Sequence, residues 1–84
     1  EPGYALPLSH YTTVGRHEDN TFEIDDGFVS GSHAELTFDN GAWWLQDLNS
    51  TNGTFVNNQR VRSRVRLTDG DIVQFGRVRL RAHL

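Results

Sequence analysis

Eighty-four residues with a formal net charge of -3 specify one small domain, with room for a modest core but none for a second lobe or a deep enclosed active site. No apolar run approaches the length of a membrane span, and no segment reads as a signal peptide. Without cysteine there is neither a disulfide framework nor a thiolate metal site, which favours a reducing intracellular setting; without methionine, the chain is expected to be a single domain, residues 1–84, excised from a longer protein.

In chain order the sequence reads as short strands joined by turns. "YALPL" (4–8) and "YTTVG" (11–15) form an expected opening pair, with Pro7 tolerable only near a sheet edge. "TFEI" (21–24) is short. "HAELTF" (33–38) alternates, sending Ala34, Leu36 and Phe38 inward and Glu35 and Thr37 outward. Asn40-Gly41 is a hairpin signal, because both residues tolerate positive φ, and the strand after it is expected to bury Trp43 and Leu45. "TFVN", "RVRL", "DIVQFG" and "RVRLRA" follow, separated by Asn57-Asn58, Asp69-Gly70 and Gly76. No window of helical length carries a 3.6-residue period, and about ten short strands with frequent turns predict an all-β antiparallel sandwich or barrel.

Charge is divided along the chain. All eight basic residues are arginines; Arg60, Arg62, Arg64, Arg66, Arg77, Arg79 and Arg81 lie in the C-terminal part, whereas Arg16 is the one base among nine acids in residues 1–59. In "RVRLRAHL" the arginines 77, 79 and 81 alternate with Val78, Leu80 and Ala82, the pattern of a solvated strand face, with nucleic-acid contact as the alternative. Arg16 has two readings by itself: a ligand-binding base, or a surface ion pair with Glu18 or Asp19.

Catalysis and metal binding find little support. Ser30, His33 and Asp47 are the side-chain types of a hydrolase triad, but nothing resembles a nucleophile elbow and the chain is too small to wall off a site. His10, His17, His33 and His83 are scattered, with no close pair at ligand spacing. His33 opens an alternating strand, where a histidine is more often hydrogen-bonded structure than a ligand.

One stretch carries more polar chemistry than a turn requires. "NSTNGTFVN" (49–57) holds three hydroxyl side chains, three amides and a glycine, where a tight hairpin needs two or three such residues. Taken with "VGR" (14–16), "SGSH" (30–33) and "LTDGDIVQFG" (67–76), it resembles the forkhead-associated, or FHA, family, whose pattern is G-R, then S-x-x-H, then S-x-N-G-T, then a G-D strand ending in glycine. The resemblance covers nearly all of residues 4–82, in order.

The resemblance implies an eleven-stranded antiparallel β-sandwich whose loops at one end bind a phosphothreonine in a partner protein, marked by an upstream Ser/Thr protein kinase. It implies no cofactor, no enzymatic activity and no membrane partner. Carried over by residue, Arg16 and Ser30 would hold phosphate oxygens, Thr51 would add a hydroxyl or backbone contact, and Asn52 would bond the main chain of the peptide. His33, Gly53 and Thr54 would shape the loops. The chain departs from the family at Gly31, where many members carry Arg, Lys or Asn as a further phosphate contact; here only backbone is offered, and Ser32 beside it is polar but short.

The chemistry of the residues agrees with that reading. A phosphothreonine brings about -1.5 to -2 charges and three strong acceptor oxygens, so a receptor must present donors such as an arginine fork, hydroxyls and loop amides. Two competing readings stand beside it: an FHA-like domain that binds through a sheet face without phosphate, and a nucleic-acid binder using the arginine-rich strands. The latter has few aromatic residues for stacking near those arginines, chiefly Phe75.

Overall fold

Strand alternation and positive-φ turns account for most of the architecture. The computed structural model describes residues 10–84, so the expected strand at 4–8, with Pro7, lies outside the described residues. The strands are β1 (Tyr11–Gly15), β2 (Phe22–Glu23), β3 (Ala34–Asp39), β4 (Ala42–Asp47), β5 (Thr54–Val56), β6 (Gln59–Arg60), β7 (Val65–Leu67), β8 (Ile72–Phe75) and β9 (Val78–Arg81). They form two sheets, one ordered β2-β1-β3-β4-β7 and the other β6-β5-β8-β9. Asn40 and Gly41 take φ values of 52° and 76°, and Asn57 and Asn58 take 49° and 70°, the left-handed pairs that close two-residue hairpins without splaying the twisted strands.

The core lies between the sheets. Val14, Leu36, Leu45 and Leu67 from the larger sheet meet Val73 and Phe75 from the smaller, with Ile24, Val29, Ala34 and Val61 completing the cluster. Leu45 is fully buried, and a large side chain of this kind contributes about 1.5–3 kcal/mol on leaving water. Trp43 is partly buried and packs against the cluster. In β9, Val78 and Leu80 pack on it too, while Arg79 and Arg81 face solvent, as the alternation predicts.

Three expectations are corrected. Among the described residues there are nine strands, not the eleven that the resemblance implies; residues 24–33 form no strand and are held by local bonds, Asp26 Oδ1 accepting from the Phe28 amide at 2.9 Å and the Asp26 carbonyl from the Val29 amide at 2.9 Å. The sandwich is not wholly antiparallel, since β1 and β2 pair parallel, Val14 opposite Phe22. That pairing is braced by side chains: the Thr21 amide donates to Thr13 Oγ1 at 2.9 Å and the Thr13 amide to Thr21 Oγ1 at 3.2 Å. Finally, Phe38 points in the inward phase but is 39% exposed. It lies opposite Trp43 near the end of β3, outside the cluster, stacking on His10 at a ring distance of 5.6 Å and meeting Trp43 in a tilted contact at 5.1 Å.

Candidate functional site

Three connecting segments meet at one end of the sandwich: 16–21 after β1, 24–33 before β3 and 48–53 before β5. The first two are held by backbone bonds, the Arg16 amide to the Ser30 carbonyl at 2.9 Å and the His17 amide to the Gly31 carbonyl at 3.3 Å. Asn20 ties them further, its Nδ2 donating to the carbonyls of His17 at 2.9 Å and Gly31 at 2.7 Å. Gly15 is the residue that permits this approach, because a Cβ there would collide with the Gly31 carbonyl oxygen.

His33 fastens the second segment to the third. It is fully buried, and the Ser30 amide donates to its Nδ1 at 3.0 Å. That donor fixes the tautomer: Nδ1 must offer a lone pair, so the proton sits on Nε2, which donates to the Gly53 carbonyl at 2.9 Å. The ring also meets Phe75 edge-on at 5.8 Å, anchoring the loops to the core. With both ring nitrogens engaged, His33 is not a base for the Ser30 hydroxyl, whose oxygen instead accepts from the Thr51 amide at 3.0 Å. Ser30, His33 and Asp47 therefore do not form a triad.

Asp47 has a structural task that its sequence position does not announce. Its Oδ1 accepts from the hydroxyls of Ser50 and Thr54, each at 2.6 Å, and its Oδ2 accepts from the Ser50 amide at 3.0 Å. Ser50 Oγ in turn accepts from the Gly53 amide at 3.0 Å. Burial acts to raise the Asp47 carboxyl, but the bonds from Ser50 and Thr54 outweigh it and hold the group below the ordinary aspartate value. This network folds 48–53 into a tight loop, with Gly53 at φ 92°.

The consequence is a set of outward-facing donors. Ser30, with its oxygen occupied by the Thr51 amide, retains its hydroxyl hydrogen for an external acceptor. Thr51 and Ser32 are exposed, as is Arg16. Among the described residues the ion pairs are Arg64 with Asp39 at 3.3 Å and Arg77 with Asp26 at 3.1 Å, so Arg16 is not held by Glu18 or Asp19. Gly31 offers little from its carbonyl, which is taken by His17 and Asn20; its backbone lies outside the left-handed region. Asn52 donates from Nδ2 to the Phe28 carbonyl at 2.9 Å, leaving its Oδ1 and second N–H available.

Sequence reasoning missed Asn20 and the role of Asp47. The signal for Asp47 was present in its spacing to Ser50, since an Asp three residues before a serine is placed to cap a turn. For Asn20 no local signal existed, because its second acceptor, Gly31, is eleven positions away.

The FHA domain family model matches residues 12–76. Glycogen accumulation regulator GarA of Mycolicibacterium smegmatis is 45% identical over 69 residues, which are 82% of this chain and 43% of that protein. The chain thus spans less than half the length of this curated relative. A solved structure described as "structural and functional analysis of phosphothreonine-dependent FHA domain interactions" superposes with a TM-score of 0.92 at 36% identity, covering 99% of this chain and 86% of the other. Mycobacterium tuberculosis EmbR, in complex with a low-affinity phosphopeptide, superposes with a TM-score of 0.84 at 36% identity, covering 88% of this chain and 20% of that one.

Proposed function

The chain belongs to the FHA domain family, and on that footing we propose that it is a phosphothreonine-dependent protein-interaction module rather than an enzyme. The observation that carries this reading is the Ser30–Thr51 junction: it brings the 30–33 and 48–53 segments together and leaves the Ser30 hydroxyl hydrogen uncommitted, beside the backbone that carries Arg16, which forms no ion pair among the described residues. A phosphate dianion is the complement of such a set, since hydrogen bonds to a charged acceptor are shorter and stronger than neutral ones. In this reading Arg16, Ser30 and Thr51 hold phosphate oxygens, Asn52 uses its remaining amide atoms on the peptide main chain, and Gly31 and Ser32 border the phosphate. His33, Gly53 and Thr54 keep the loops in place. The partner is a protein phosphorylated by a Ser/Thr kinase, the setting is intracellular, and the chain is the recognition domain of a longer regulatory protein. The phosphothreonine-dependent interactions of solved relatives support the assignment.

The test is one peptide in two forms. An oriented phosphothreonine library selects the sequence, and calorimetry then compares its phosphorylated and unphosphorylated versions. Binding of the phosphorylated form alone is expected. Equal binding of both would replace the proposal with docking on a sheet face, and affinity for any oligonucleotide falling steeply with salt would point instead to the arginine-rich strands.

A further inference from the structure

We propose that His17 is a direct ligand of the phosphate, its imidazole N–H occupying the space that a side chain at position 31 would fill. The inference rests on the phosphothreonine reading above and adds a residue to it. A Cβ built on Gly31 would overlap the His17 ring, lying 2.5 Å from Nε2. The ring therefore lies against the residue that follows Ser30, on the segment whose hydroxyl faces outward. Two glycines allow this: Gly15 lets the 16–21 segment approach, and Gly31 leaves room for the ring.

The second observation is the contrast between the backbone and the ring of His17. Its amide donates to the Gly31 carbonyl at 3.3 Å, and its own carbonyl accepts from the Asn20 amide at 3.1 Å and from Asn20 Nδ2 at 2.9 Å. Its backbone is thereby fixed at both polar atoms. The ring nitrogens, by contrast, belong to an exposed residue and have no hydrogen-bond partner among the described residues. The charged neighbours on its own segment are Arg16, Glu18 and Asp19, none of them in an ion pair there. A neutral imidazole offers one N–H and a charged one offers two, so a donor is present in either state. The geometry is that of a positioned ring with uncommitted polar atoms beside the proposed phosphate position.

The test uses N-acetyl-phosphothreonine-N-methylamide as probe, its unphosphorylated counterpart as control, and NMR titration of the 15N-labelled chain. His17→Phe keeps the ring but removes the donor, so a packing role survives it and a ligand role does not. Losing one partly exposed hydrogen bond should weaken probe binding about fivefold in His17→Phe and in His17→Ala alike, with melting temperature unchanged in His17→Phe. In the parent, the imidazole nitrogen resonances of His17 should shift with the phosphorylated probe and not with the control. If Arg16→Ala loses the probe while His17→Phe binds like the parent, the phosphothreonine reading stands and the role of His17 falls. If the imidazole resonances stay fixed at saturation, it falls as well. If the parent does not distinguish the two probes, both readings fall together.

Discussion

The Thr51 amide donates to the Ser30 hydroxyl oxygen, so one serine joins two loops and still has a hydrogen to give. Arg16 has no such second duty, being exposed and outside both ion pairs of the described residues. The two residues should therefore respond differently to truncation. Arg16→Ala should weaken phosphopeptide binding about tenfold to a hundredfold, the worth of a charge-assisted contact, with the melting temperature unmoved. Ser30→Ala should lower both affinity and melting temperature. Calorimetry and thermal melts on the two variants check this; unchanged affinity in Arg16→Ala would remove it from the site.

His33 and Asn52 should separate in the opposite sense. His33→Ala leaves the part-buried Ser30 amide without its partner and removes one of the two donors, His33 Nε2 and the Gly76 amide, that serve the Gly53 carbonyl, a loss of about 1–3 kcal/mol in all. Its melting temperature should drop by several degrees or more. Asn52→Ala gives up one exposed bond to the Phe28 carbonyl, so its stability should change little while its affinity for peptide falls. A His33→Ala domain that melts like the parent and yet fails to bind would reverse these roles.

Asp47 should give the fold an acid-sensitive element. Its folded carboxyl lies below the ordinary aspartate value of 3.8, so the stability it contributes is complete above that value and is lost as pH falls through the lower, folded one. Asp26 and Asp71 are lowered in the same way, chiefly by the amides of Phe28 and Thr68, and share in this acid loss. Asp47→Asn isolates one contribution. It sets an amide N–H against either the Ser50 amide or the two hydroxyls, and should cost about 1–3 kcal/mol at neutral pH. The gap between parent and variant should narrow below about pH 4. Denaturant melts across pH 2 to 7 read it directly, and a constant gap would refute the assignment.

Binding should also depend on the ionisation of the ligand. Phosphothreonine loses its second proton near pH 6, and the donors proposed at Arg16, Ser30 and Thr51 would favour the dianion. Affinity should fall as pH drops from about 7 to 5 while the fold remains intact, and the same titration with a phosphonate analogue of higher second ionisation should move the transition upward. Affinity that is flat over this range in His17→Phe, where the His17 imidazole is absent, would contradict phosphate as the recognised group.

Much of the fold was legible because its determinants are local. Asn40-Gly41 and Asn57-Asn58 announce turns through the φ they must adopt, and the alternation in 34–37 and 77–82 assigns faces through a period of two. Phe38 shows the limit of periodicity, which gives the phase of a side chain but not whether the core extends beneath it. The parallel β1–β2 pair was hidden because β2 has two residues, too few to show a pattern, and the pairing is braced by the side chains of Thr13 and Thr21 beside it. At the candidate site, Arg16, Ser30, Thr51 and Asn52 stood out as residue types in a motif. Asn20 did not, since its work is a bond from one loop's side chain to another loop's backbone.

The bonds that build the site join residues far apart in the chain: Ser30 to Thr51 across 21 positions, and His33 to Gly53 across 20. The second contact also involves the smaller sheet, since the Gly76 amide bonds the same Gly53 carbonyl and Phe75 packs edge-on against His33. The site should therefore mature late in folding, in a chain whose non-local pairings place it among the slower small domains, folding over milliseconds to seconds. Recognition and foldedness are then coupled by mass action. A ligand that binds only the assembled loops would add about 2.7 kcal/mol of apparent stability at a hundred times its Kd, so a thermal-shift screen of phosphothreonine peptides becomes a way to find the partner.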